Sequence, residues 1–292
     1  AWGSNADGQV TVPAGVSGRL SEHSYRGYRK CAWAFKRLLR LIGGFGMRTE
    51  DDGRRVLALG APRDRVIVGG NMKFDAARML APDPGLRATV FAETGFRPEA
   101  RVLLGGSTHP GEEEVLLDLF RDLRPSFPDL ALILAPRHLE NLGRIEKALD
   151  VRGVAYRKRT QGPPPPGTAA DVFLLDTIGE LRRFYTAATI VFVGKSLHGR
   201  GGQNILEPAS LGKAVLFGPR MEHFKEIAVL FRSRKAAIEV KDAPELREAV
   251  RRLLEDEAER RAIGERARAL IEENAGAVER YAQMGAEIAN HA

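Results

Sequence analysis

Ile190–Asn204 reads I-V-F-V-G-K-S-L-H-G-R-G-G-Q-N. Four consecutive apolar residues, three of them β-branched, read as a strand buried on both faces, the kind found in parallel sheets. Glycines and polar residues follow at once, and a helix is expected through Leu211. Outward from this segment the same unit recurs. Val102–Leu104 ends in G-G-S-T-H (105–109) before a helix from Glu112 to about Leu123. Leu130–Ala135 ends in P-R-H (136–138) before a helix over 140–149, and Val154–Tyr156 makes a third strand. Val172–Leu174 ends in D-T-I-G-E (176–180) before a helix to about Ala187, and Ala214–Phe217 ends in G-P. Strand–loop–helix units in series predict an α/β fold with a doubly wound parallel sheet. Ligands of such sheets bind beyond the strand carboxyl ends. The unusual segments of this chain all lie there.

The 292 residues suggest two domains, and 43% hydrophobic with 28% charged residues is a globular balance. Basic residues outnumber acidic ones 45 to 38, and residues 1–75 hold 13 against 7. A uniformly basic coat for nucleic acid is therefore excluded, and the positive charge belongs to one segment. Within it, Tyr25, Tyr28, Ala32, Phe35, Leu39 and Ile42 recur at helical spacing and predict one helix over 21–42, stopped by Gly43 and Gly44. Arg26, Arg29, Lys30, Lys36, Arg37 and Arg40 fill its other faces. This pattern fits either a solvated face or one that meets anionic lipid or phosphate. A helix over 49–59 and a strand at Val66–Val68 follow, then G-N-M-K-F-D (70–75) and a hinge over 76–97. Domains are expected at 1–75 and 76–292, with charged amphipathic helices over 243–292. The lone Cys31 can form neither an intrachain disulfide nor a cysteine cluster for zinc. Apolar runs such as Leu130–Ala135 are far short of the roughly 20 residues of a membrane span. The opening on Ala1 suggests a processed or truncated product.

The chemistry sits at the strand ends. In Gly199–Pro208, adjacent Gly201 and Gly202 let main-chain N–H groups approach a phosphate without a Cβ in the way. Gln203 and Asn204 can donate from the helix start, and Glu207 suits two ribose hydroxyls. A plain Gly-rich turn with a first-turn glutamate gives the same spacing. It is neither a GxGxxG fingerprint nor a P-loop. Ser107 and Thr108 precede an acidic helix and read as caps, with Glu112 placed for a capping box near His109. Arg137, after Pro136 at a strand end, suits bidentate grip of phosphate or carboxylate. His109 and His138 are too few and too far apart for a metal site. Asp176, Thr177 and Glu180 fit a helix start, with Gly179 permitting close approach of a base or ribose.

Taken together, G-G-S-T-H-P-G-E-E (105–113), A-P-R-H (135–138), D-T-I-G-E-L (176–181), F-V-G-K-S (192–196) and R-G-G-Q-N-I-L-E-P-A-S-L-G-K-A-V-L-F-G-P (200–219) resemble the second domain of the 3-deoxy-D-manno-octulosonic acid (Kdo) transferases. These are GT-B glycosyltransferases of lipopolysaccharide synthesis. G-N-M-K-F-D and G-R-L-S-E-H-S (18–24) extend the resemblance over roughly residues 15–290. It implies a CMP-Kdo donor, a lipid A precursor (lipid IVA) as acceptor at the cytoplasmic face of the bacterial inner membrane, and inverting transfer without an active-site metal or cofactor. It implies donor contacts from Ser107, Thr108, Pro136, Arg137, Ile178, Gly179, Glu180, Asn204 and Glu207, beside the Gly201–Gln203 loop, and an acceptor contact from Arg19. The expected architecture is one complete GT-B donor domain with the C-terminal remnant of an acceptor-binding domain.

The sequence departs from the family at Lys195, where many members have Gly, and at Gln203, where many have His. The family's hydrophobic anchor and its Gly-rich loop with the general-base glutamate are expected to have no counterpart in these 292 residues. Glu22 and Glu50 do not match that motif, so the 292 residues are expected to bind donor rather than turn over. The competing readings are a GT-B relative using a UDP-sugar, as transferase or epimerase, and a non-enzymatic basic protein binding membranes or nucleic acid. Only 7% aromatic residues and no basic–aromatic interleaving in the second domain speak against nucleic acid.

Overall fold

The computed structural model describes residues 14–79, 85–165 and 171–291. It divides into two compact units, 1–79 with 272–292 and 80–271. Residues 80–84 of the expected hinge lie outside the described residues. The first unit begins with β1 (Ala14–Gly18), α1 (Glu22–Arg29), α2 (Ala32–Leu39), β2 (Gly44–Met47), α3 (Glu50–Ala58), β3 (Val66–Val68) and α4 (Lys73–Arg78). The second contains α5 (Leu86–Thr94), β4 (Arg101–Thr108), α6 (Glu112–Leu123), β5 (Leu130–Pro136), α7 (Leu142–Val151), β6 (Tyr156–Lys158), β7 (Val172–Leu174) and α8 (Leu181–Phe184). It continues with β8 (Ile190–Val193), α9 (Leu206–Ser210), β9 (Ala214–Phe217), α10 (Lys225–Ser233), β10 (Ile238–Glu239), α11 (Ala243–Glu255) and α12 (Glu257–Asn274). The final helix, α13 (Ala277–His291), packs in the first unit.

The second unit is the expected α/β fold. Its seven strands pair in parallel in the order β10-β9-β8-β4-β5-β7-β6. Leu103, Leu132, Val172, Ile190, Phe192 and Leu216 are fully buried between helix layers that contribute Leu116, Leu117, Ile145, Leu246 and Val250. Each such side chain stabilises the fold by roughly 1.5–3 kcal/mol. The chain builds outward from β4 on one side through β5, then crosses back to add β8, β9 and β10 on the other. The topological switch point therefore lies between β4 and β8, where doubly wound sheets open a crevice at the strand carboxyl ends. The third expected strand sits two residues later, at 156–158, and the hinge carries α5, with Val90 and Phe91 buried.

The first unit has a three-stranded parallel sheet, β1-β2-β3, with Phe45, Met47, Val56 and Ala61 as its core. The single helix expected over 21–42 is two. Ser21 caps α1 through its Oγ, which accepts the Ser24 N–H at 3.1 Å, and Cys31 at φ −119° breaks the run before α2. The apolar stripe survives the break, because the Tyr28 and Phe35 rings meet across it, tilted, with centroids 4.7 Å apart.

Residues 272–292, expected with the second domain, belong with the first. The Tyr281 hydroxyl lies 2.9 Å from the Met47 carbonyl and 2.6 Å from that of Gly70. A Cβ on Gly46 or Gly69 would fall 2.4 or 2.1 Å from the Tyr281 ring, so both positions must be glycine for α13 to dock. Asp75 of the G-N-M-K-F-D segment accepts the N–H groups of Gly276 and Ala277 at 2.6 and 3.1 Å, capping the start of that helix. Among the described residues, no helix is long and apolar enough to cross a membrane.

Candidate functional site

The ends of β4 and β8 meet at the switch point, and one buried carboxylate joins them. Glu112 opens α6 and has no solvent exposure. Its Oε2 accepts the N–H groups of His109 (2.9 Å) and Lys195 (2.7 Å). Its Oε1 accepts those of Ser196 (3.0 Å), Leu197 (2.9 Å) and His198 (3.2 Å). The contact with His109 is the capping reach expected from the sequence; the four to the β8 loop, 83–86 positions away, were not. Lys195 sits in the left-handed region at φ +57°, a conformation that glycine takes without strain. The next loop is tied in by Ser196, whose Oγ accepts the Gly218 N–H at 2.8 Å and donates to the Val193 carbonyl at 2.5 Å.

Gly201 and Gly202 follow at φ +108° and +68°. The phosphate reading of their N–H groups needs correction, because both are engaged inside the protein. Gly201 donates to the Glu222 carboxylate at 2.6 Å and Gly202 to the Lys195 carbonyl at 3.1 Å. These glycines shape the turn. The main-chain N–H groups of Gln203 and Asn204, by contrast, donate to no described residue. Asn204 donates from Nδ2 to Glu207 Oε1 at 3.1 Å and accepts the Leu206 N–H at 3.1 Å, so one side chain orients the carboxylate and starts α9. Glu207 also faces the buried Tyr185, whose phenol pKa is raised by burial first and by this carboxylate second.

On the other side of β4, Thr108 pairs with Pro136, and the Arg137 N–H donates to the Thr108 carbonyl at 3.0 Å. This brings Ser107, Thr108, Pro136 and Arg137 together. The Arg137 guanidinium is exposed and has no ion pair or hydrogen bond with a described residue. His109 and His138, separate in sequence, come together with ring centroids 5.2 Å apart. Burial is the main cause holding the His109 pKa below its usual value; Glu112 opposes it, while Lys195, His138 and Arg137 reinforce it. Its Nε2 is buried without a partner among the described residues. Among the described residues, no group of three or more His, Cys, Asp or Glu is placed to hold a metal ion.

After β7, Asp176 accepts the Thr160 N–H (3.0 Å) and hydroxyl (2.5 Å). Glu180 accepts from Arg159 and Arg183, each at 3.1 Å, and from the Thr177 hydroxyl. Burial alone would raise its pKa, but Thr177 and Arg159, with Arg183, outweigh it and hold the carboxyl below its usual range. Ile178 stands 81% exposed beside Gly179, around which a Cβ would meet nothing within 4 Å. This apolar platform is open to a flat ligand group. Arg19 lies in the first unit, exposed, just before α1.

Glu222 and Tyr185 escaped the sequence reading, as did the reach of Glu112 beyond its cap to Lys195–His198. The available signal was a glutamate at the first position of a helix that follows a glycine-rich strand end.

Residues 9–76 match the model of the family 3-deoxy-D-manno-octulosonic-acid transferase (kdotransferase), and residues 144–286 match a glycosyl transferase-like model. A 3-deoxy-D-manno-octulosonic acid transferase of Bordetella pertussis is 33% identical over 272 residues, 91% of this chain and 61% of that protein. A bifunctional glycosyltransferase/methyltransferase of Fusobacterium nucleatum is 33% identical over 237 residues, 80% of this chain and 36% of that protein. The chain thus spans about three-fifths and one-third of these relatives' lengths. The crystal structure of the C-terminal CMP-Kdo binding domain of WaaA from Acinetobacter baumannii aligns with a TM-score of 0.57 at 25% identity, covering 69% of this chain and 99% of that domain. By its ordered strand-end motifs, its matched first unit and these relatives, the chain belongs to the Kdo transferase family of GT-B glycosyltransferases.

Proposed function

We propose that the second unit binds the nucleotide half of CMP-Kdo, as the donor side of a glycosyltransferase that moves Kdo onto a lipid A precursor. The supporting observation is that the carboxyl ends of neighbouring parallel strands carry an arginine (Arg137) unpaired among the described residues, N–H groups at Gln203 and Asn204 that donate to no described residue, an oriented carboxylate (Glu207) and an open platform (Ile178–Gly179). Arg137 and these N–H groups suit the phosphate, Glu207 the ribose hydroxyls, and Ile178 with Gly179 the cytosine. The inverting, metal-independent transfer of the family is the chemistry we assign. Arg26 and Arg55 engage the Glu22 carboxylate at 2.9 and 3.3 Å. Isothermal titration of the 292-residue chain with CMP should show saturable binding that Glu207→Ala weakens. No binding at millimolar CMP, or stronger binding of UDP, would overturn the assignment.

We further propose that α1 and α2 face the anionic cytoplasmic surface of the inner membrane. Trp33 is 83% exposed, with Leu38 and Leu41 also exposed, among Arg29, Lys30, Lys36, Arg37 and Arg40. Apolar side chains within a basic surface suit the headgroup boundary of an anionic bilayer.

A further inference from the structure

A row of main-chain N–H groups converging on one point is ordinarily an anion-binding nest. In this protein the nest formed by Lys195, Ser196, Leu197 and His198, closed by His109 from the opposite loop, is filled by the protein's own Glu112. The two loops are the ones that flank the switch point. One begins with Ser107 and Thr108, and the other leads through Gly201 and Gly202 to Asn204 and Glu207.

We propose that Glu112 is the positioning residue of this cleft, an internal anion that sets the separation of the two loops and holds Lys195 in the left-handed conformation from which the Gly-rich loop departs. The inference rests on the nucleotide reading only where a ligand is the probe. One consequence is that a donor phosphate is excluded from the Lys195–His198 amides and must take donors further along, at Gln203 and Asn204.

The division of labour between the two carboxylate oxygens makes the role testable. Glutamine at 112 keeps one acceptor oxygen. Placed on the side of Ser196, Leu197 and His198, that oxygen leaves an NH2 facing the N–H groups of His109 and Lys195, donor against donor. The tether to the β4 loop and the restraint on Lys195 are lost together. Glycine at 195 takes φ +57° without a restraint and should recover part of what the glutamine removes.

The first experiment is hydrogen exchange on the wild-type chain without nucleotide. The amides of Ser196, Leu197 and His198 should exchange slowly; free exchange that slows only when CMP is added would overturn the proposal. The second is CMP titration of Glu112→Gln, whose affinity should fall about tenfold, and of Glu112→Gln/Lys195→Gly, which should regain about threefold. Wild-type affinity in Glu112→Gln would also overturn it. A merely structural carboxylate would lower the unfolding midpoint without changing the CMP affinity of the folded protein. If Glu112→Gln does not fold, or if the wild type does not bind CMP, exchange in the wild type still decides the matter. In the latter case it is the nucleotide reading that falls.

Discussion

Lys213, in the L-G-K-A-V-L-F stretch before β9, is a lysine whose charge the fold disfavours, and replacing it should stabilise the protein in a pH-dependent way. Burial, with the neighbouring Arg87 second, lowers its pKa from 10.5 to about 8, and its Nζ donates to the Thr186 carbonyl at 2.9 Å. Between about pH 8 and 10.5 the unfolded chain therefore binds more protons than the folded one, and stability rises with pH through that window. Below pH 8 the folded state carries the full penalty, roughly 3 kcal/mol at about 1.4 kcal/mol per pKa unit. Lys213→Met keeps the side-chain volume, removes that penalty and gives up a hydrogen bond of about 1 kcal/mol. The expected net gain at pH 7 is about 1–2 kcal/mol, or roughly 2–8 °C in unfolding midpoint for a domain of this size. Thermal melts of both proteins at pH 7, 8, 9 and 10 would test this. The advantage of the methionine should shrink steadily above pH 8. A difference that does not change with pH, or a variant less stable at pH 7, would refute the reasoning.

Gly218→Ala should be severely destabilising, because its Cβ would lie 2.2 Å from the Ser196 carbonyl oxygen. A loss of about 3 kcal/mol in urea unfolding is expected, and a loss under about 1 kcal/mol would contradict this packing. Lys195→Gly alone should relieve left-handed strain and leave stability unchanged or raised by up to about 1 kcal/mol, and a clear loss in the melt would argue against φ +57°. Trp33→Ala with Arg37→Glu should weaken sedimentation with phosphatidylglycerol vesicles but not alter CMP binding, and unchanged sedimentation would remove α2 from the membrane proposal.

The second unit was largely legible because its signals are local. Val172–Leu174, Ile190–Val193 and Ala214–Phe217 are short apolar runs between glycines and polar residues, and α6 carries an apolar face with glutamates in its first turn. The strand ends follow from that pattern, so the neighbourhood of Ser107, Arg137, Glu180 and Asn204 could be named in advance. The first unit was harder. β1 and β2 read A-G-V-S-G and G-F-G-M, too glycine-rich to look like strands, and Tyr281, more than 200 residues later, packs on Gly46 and Gly69. The role of Glu112 was hidden for the same reason. A glutamate at a helix start looks like a cap, and only the folded sheet brings Lys195–His198 to it. Gly201 and Gly202 show the opposite error. Their N–H groups looked free for phosphate, yet Glu222 and the Lys195 carbonyl already hold them.

Amide chemical-shift mapping of the isotopically labelled chain during CMP titration tests the central claim most directly. The account predicts saturable shifts at Ser107, Arg137, Ile178–Glu180 and Gln203–Glu207, with the Ser196–His198 amides already protected and little moved. Shifts elsewhere in the chain, no shifts at millimolar CMP, or the same pattern at lower concentrations of UDP would contradict it.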